Sequence, residues 1–119
     1  MRLPWIIWEP TKISGPDFQT PYPLHNIIDF NYTTFDSFFF KVSTLTLELA
    51  DNATLPDMTP KKRLGRGKLR KKKRHLFYGF VGTPKANGKK ISDGEVIEMI
   101  HNYLQAAHAR HALNQHQSD

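Results

Sequence analysis

Ten of the fourteen residues from Lys61 to Arg74 are cationic: Lys61, Lys62, Arg63, Arg66, Lys68, Arg70, Lys71, Lys72, Lys73 and Arg74. No helical or strand periodicity accounts for that spread, and no acid interrupts it. Each Lys or Arg that neutralises a phosphate releases condensed counterions, which gives affinity that depends steeply on salt and little on sequence. Gly65 and Gly67 let the backbone bend and come close to a partner. This is the chemistry of an arm that holds a polyanion, and RNA is the expected one. Without a partner, the same segment would be a solvated tail.

The next residues, Leu76, Phe77, Tyr78 and Phe80, put aromatic groups beside the cations, where they can supply a platform for unpaired bases. A cluster this apolar also suits a core. Core is the expected role for most of it, with Tyr78 as its exposed, base-contacting member. Lys85, Lys89 and Lys90 surround the Asn87-Gly88 turn and are expected to extend the phosphate footprint from a hairpin tip. His101, His108, His111 and His116 lie on or after the last predicted helix. His108 and His111 have the i, i+3 spacing of a metal pair, but neither Cys nor a well-placed carboxylate completes a ligand set, so no metal or other cofactor is expected. Solvated or RNA-facing histidines are expected instead.

Catalytic patterns are missing. There is no nucleophile elbow, no Walker-type GxxxxGK and no framed pair of carboxylates, and Gly65-Arg66-Gly67-Lys68 is too short for a phosphate loop. The chain contains no cysteine, which removes disulfide frameworks and thiolate chemistry together. A non-enzymatic role is therefore expected.

The run Lys72-Lys73-Arg74-His75, then Gly79-Phe80, Thr83 and Asn87-Gly88-Lys89-Lys90-Ile91, loosely resembles the small, very basic large-subunit ribosomal proteins of bacterial type. Those carry a basic-His-Gly-Phe run before a Gly-Arg-Lys turn. Here three residues separate His75 from Gly79, and an acidic helix stands where such proteins have a basic tail. The likeness is confined to this stretch.

The charge of the whole chain is segregated. Residues 1–60 carry three basic and seven acidic groups, residues 61–90 thirteen basic and none acidic, and residues 91–119 one basic and four acidic, for a net +6. A block charged like the middle one opposes its own compaction, so 61–74 is expected to be extended and mobile when free.

The elements around it follow from local pattern. Five prolines by position 23 exclude helix from the N-terminus and leave short strands there, with Trp5–Glu9 and the LHNIIDFNY stretch as candidates. The strongest alternation lies between Ser37 and Ala50. Phe38, Phe40 and Val42 share one parity and Leu45, Leu47 and Leu49 the other, which predicts either a bulge or a bend between two sheets near Ser43 and Thr44, or a strand buried on both faces at its start. Residues 51–60 form a loop, His75–Val81 a strand and Asn87-Gly88 a two-residue turn. Ser92 and Glu95 form a capping box that opens a helix expected to fade after Leu113, with Val96, Ile97, Ile100, Tyr103, Leu104 and Ala107 as its apolar stripe.

The expected fold is thus α+β: an acidic β-rich body (1–60), an extended basic arm (61–74), and a hairpin plus one C-terminal amphipathic helix (75–119) that packs with the body as one small domain. Its core is expected to join Phe38, Phe40, Leu45 and Leu47 to Ile97, Ile100 and Leu104. The opening MRLPWIIWEP is too short and Pro-interrupted for a signal or a membrane span, and the triplets at Asn31 and Asn52 are expected to be chance glycosylation matches in an intracellular chain. The expected function is that of a non-catalytic ribonucleoprotein component. The leading form is a ribosomal structural protein of the cytoplasm or an organelle such as the mitochondrion, touching rRNA with its arm and protein neighbours with its body and helix. The alternative is a nuclear-targeted regulatory or viral accessory protein whose Arg70–Arg74 run is an import signal. A peripheral protein on anionic lipid ranks third, because no basic amphipathic helix adjoins the block.

Overall fold

The computed structural model describes residues 1–58, 68–72 and 74–117, with 68–72 and 116–117 described by their backbone alone. The prolines and turns of the N-terminus chop it into short pieces: β1 (Arg2–Leu3), β2 (Ile6–Trp8), β3 (Lys12–Ser14) and β4 (Tyr22–Pro23), then a 3-10 turn at Leu24–Asn26. Two long strands follow, β5 (Ile27–Asp36) and β6 (Lys41–Leu49), then β7 (Lys68–Lys72), β8 (His75–Val81), β9 (Lys85–Ala86), β10 (Lys89–Lys90) and the helix α1 (Asp93–Gln117). The class is α+β and the body β-rich, as the sequence predicts. Strands β10-β9-β1-β2-β3-β4 form one antiparallel sheet and β5-β6-β8-β7 the other. The short pieces of the first sheet need close packing where they cross. At Gly15, where φ is +150°, a Cβ would lie 2.2 Å from the Trp5 carbonyl oxygen, so only glycine fits.

The basic segment is not uniformly an arm. Residues 61–67 and Lys73, where mobility is expected, lie outside the described residues. Lys68–Lys72 are extended, but as an edge strand hydrogen-bonded to β8. Arg74 is anchored as well: its guanidinium donates to the Ala53 carbonyl at 2.6 Å, and its own carbonyl accepts from the Leu49 amide at 2.7 Å.

The Ser37–Ala50 stretch departs from expectation in an instructive way. β5 and β6 pair without interruption from Asp29↔Glu48 to Asp36↔Lys41 within one sheet, so neither a bulge or a bend between sheets near Ser43 and Thr44 nor a doubly buried strand occurs. Ser37 explains this. Its amide and hydroxyl both donate to the Phe40 carbonyl, at 2.9 and 2.8 Å, and its oxygen accepts from the Phe40 amide at 3.3 Å. That clasp makes Ser37–Phe40 a turn. Ser43, Leu45, Leu47 and Leu49 keep one buried parity, while Phe38 and Phe40 fall outside the strand, 99% and 51% exposed.

The predicted core is therefore half right. Leu45, Leu47, Ile100 and Leu104 are buried, but Phe38 and Phe40 are not, and Ile97 is 42% exposed on the outer side of the helix. Their places are taken by Tyr32, Leu76, Tyr78 and Phe80 from the β5-β6-β8 sheet and by Leu3, Ile6 and Ile13 from the other, all in one cluster with the helix residues Val96 and Ala107. Helix α1 starts where predicted. The Glu95 amide donates to Ser92 Oγ at 3.3 Å, and the Ser92 hydroxyl donates to Glu95 Oε1 at 3.2 Å. It runs past Leu113 to Gln117, because Asn114-Gln-His-Gln includes no glycine or proline to stop it. Among the described residues, no helix is long and apolar enough to cross a membrane.

Leu47→Ala and Ile100→Ala should each cost about 2 to 5 kcal/mol, and Phe38→Ala less than about 0.5 kcal/mol, read from denaturant midpoints. Comparable losses in all three would refute this core. Gly15→Ala should cost about 2 kcal/mol or more through its clash and its backbone angle, and an unchanged thermal midpoint would show that the Trp5 carbonyl can yield.

Candidate nucleic-acid interface

Continuous register turns the β5-β6-β8-β7 sheet into rows of residues that alternate between two faces. Tyr32, Leu45 and Tyr78 form one inward row, and Phe30, Leu47 and Leu76 the next. The alternate rows face solvent: Thr33, Thr44 and Gly79; Asn31, Thr46 and Phe77; Asp29, Glu48 and His75. β7 extends them on backbone register. Lys68, Arg70 and Lys72 share rows with Gly79, Phe77 and His75, whereas Leu69 and Lys71 share rows with Tyr78 and Leu76. The result is an open face of threonines and an asparagine with Phe77 among them, running to the apolar row Phe35, Val42 and Val81 at one end and bordered by an edge strand rich in cationic residues. Carboxylates occupy only its far row, where Glu48 lies 4.0 Å from His75 Nε2.

Tyr78 must be reassigned. It was expected to be the exposed aromatic, but it is 0% exposed, stacked at 5.1 Å on Phe80 inside the core. Strand parity explains the exchange, since Leu76, Tyr78 and Phe80 lie on the same side of β8 and the two partners are core residues. The outward aromatics are His75 and Phe77, whose rings lie 5.8 Å apart at 27°. Reading HLFYGFV at period two, rather than as one apolar cluster, would have found them.

The other predicted cations separate into three groups. Lys61, Lys62, Arg63, Arg66 and Lys73 lie outside the described residues. Arg74 is engaged with Ala53. Lys85, Lys89 and Lys90 are exposed on the β9–β10 hairpin, whose turn has the positive φ at both Asn87 (53°) and Gly88 (78°) that a type I′ turn requires. Lys85 pairs with Lys90 on one side and with Arg2 on the other, so three cations line up across β1, β9 and β10 beside one hollow. Arg2 escaped the sequence reading because nothing local marks it; only the pairing of the chain's beginning with β9 brings it there. Three residues of connection keep Lys85 within about 14 Å of Val81, at the same end of the molecule as the Lys68 row.

Lys41 does not belong to this footprint. It is ion-paired with Asp93, and that hydrogen bond holds its ammonium above the usual lysine range. Two of the helix histidines, His108 and His111, make structural contacts, whereas His101 is exposed as expected of a solvated histidine. His108 Nε2 lies 2.6 Å from the Ile27 carbonyl oxygen, which can only accept, so Nε2 carries the proton. The His111 ring stacks on His25 at 3.8 Å and 3°. Among the described residues, no group of three or more His, Asp or Glu could hold a metal ion.

Burial first, then the charges of His111 and His108, hold the His25 imidazole below its ordinary value near 6.5. The unfolded chain therefore takes up this proton before the folded one as pH falls. The contribution is whole above about pH 6.5 and is lost progressively below it. Denaturant midpoints should drop between about pH 7.5 and about pH 5, and drop less in His25→Gln; equal drops in the two proteins would remove His25 from the account. No protein-family model matches the chain, and no curated protein or solved structure matches it either.

Proposed function

We propose that this chain is a non-catalytic RNA-binding component of a ribonucleoprotein, with ribosomal RNA the first candidate, and that it grips phosphates along strand β7 and the open face beside it. The supporting observation is that Lys68–Lys72, four of whose five residues are cationic, form the edge strand of a sheet whose outer rows beside it hold threonines, an asparagine and Phe77. One or two lysines on an edge suffice to discourage strand pairing between copies. Four in five, continuing a cationic segment, exceed that need and match a polyanion instead. Arg2, Lys85 and Lys90 would add a second phosphate contact zone. The acidic body and helix would meet protein neighbours, in a cytoplasmic or organellar particle.

An import signal is read as a short accessible peptide. The sheet hydrogen bonds of Lys68–Lys72 and the anchoring of Arg74 weigh against that use.

Replacing Lys68, Arg70 and Lys72 with glutamine should lower the slope of log affinity against log salt by roughly 2 to 3 units, at about 0.7 to 0.9 for each phosphate contact. The same change at Lys85, Lys89 and Lys90 should cost less. Circular dichroism should be unaltered in both variants. An unchanged affinity and slope in the β7 variant would defeat the proposal, as would a wild-type chain that binds no RNA at low salt and does not sediment with ribosomes.

A further inference from the structure

The turn that joins β5 to β6 exposes apolar surface that the fold does not use. Phe38 is 99% and Phe39 93% exposed, Phe35 69% and Phe40 51%. Soluble chains rarely present so much contiguous aromatic surface without an occupant for it. The Ser37 clasp fixes the turn, so these rings are held out by hydrogen-bonded backbone. The Phe38 and Phe39 rings are 6.5 Å apart and tilted by 51°, so neither covers the other's face.

The patch continues onto the open face of the sheet. Phe35, Val42 and Val81 form the row nearest the turn, and the Lys68 row comes two residues further along. At about 3.3 Å per residue, the first cation of β7 stands about 7 Å beyond that apolar row, and Phe77 about 13 Å beyond it. Aromatic tip, cationic edge and the outward Phe77–His75 pair thus lie along one surface.

The geometry points to single-stranded nucleic acid as the ligand of this surface, with unpaired bases stacking on Phe38 and Phe39 while the phosphates follow β7. This rests on the phosphate-binding reading above and narrows it from RNA in general to RNA with splayed bases. The charge pattern selects the occupant. A ligand must offer negative charge to the edge strand and flat apolar faces to the rings, and an unpaired strand offers both at every residue. A duplex hides its base faces. An anionic bilayer touching the convex tip would leave Phe77 and His75, further along the strands, out of reach.

Binding of a fluorescent single-stranded RNA and of a duplex of the same length tests this in the full chain. Wild type should prefer the single strand. Phe38→Ser with Phe39→Ser should weaken single-strand binding tenfold or more, leave duplex binding unchanged and keep the salt slope, because no cation is lost. Phe38→Trp with Phe39→Trp should restore the affinity. Both positions are exposed, so the fold should tolerate either pair. Unchanged single-strand affinity in the serine variant overturns base stacking and leaves the phosphate reading standing. A weakened salt slope in the β7 variant, with no single-strand preference in wild type, has the same meaning. Phosphatidylserine vesicles that bind wild type but not the serine variant, with RNA affinity equal in the two, would make lipid the occupant. A wild-type dimer that the serine variant abolishes, again with equal RNA affinity, would make it a second copy.

Discussion

The long strand β6 is the member on which the rest of the molecule depends. It is bonded on one side to β5 over almost its whole length and on the other to β8. Its inward residues Leu45, Leu47 and Leu49 are at most 1% exposed, which makes it the floor of the core. A shift of its register by one residue would turn those leucines to solvent and bring Thr44, Thr46 and Glu48 inside. Because β8 takes its register from β6 and β7 takes its own from β8, the same constraint settles which cations of β7 share rows with the open face.

The two sheets and the helix meet through contacts that place polar groups at the margins of this core. The Met1 amine donates to the Tyr103 hydroxyl at 3.2 Å, and the Trp8 and Tyr103 rings lie 6.0 Å apart, tying the first sheet to α1. At the start of the helix Asp93 accepts from the Tyr32 hydroxyl at 3.4 Å and pairs with Lys41, tying it to the second sheet. An acid in the first turn also suits the positive end of the helix. The negative charge of the C-terminal segment thus has a structural use at its first residue.

Much of this was legible in the chain. The β-rich N-terminus followed from its prolines, the helix from Ser92 and Glu95, the hairpin from Asn87-Gly88 and strand β8 from its apolar residues. What stayed hidden was hidden for physical reasons. Ser37 makes the turn through its own side chain, and no alternation of apolar residues announces that; Phe38 and Phe40 therefore looked like core. The basic run looked like an arm because local repulsion opposes compact structure, yet backbone bonding to β8 is a tertiary event that charge counting does not contain. Composition marks Tyr78 as the exposed aromatic, whereas strand parity puts it inside. The cation row through Arg2 joins residues more than eighty positions apart, beyond any local signal.

The place of the cations in the connectivity also puts their mutual repulsion in the path of folding. Strand β8 can join β6 only after the chain from Ala50 to Arg74 has closed into a loop, and ten like charges lie within it. Closure of that loop costs chain entropy, and repulsion among its cations adds to the obstacle to bringing those two strands together. Counterions relieve it in part, and a polyanion relieves it more. A ligand that neutralised the loop, as the function proposed above requires, would therefore act on the assembly of the central sheet itself, lowering the cost of the step that completes the core.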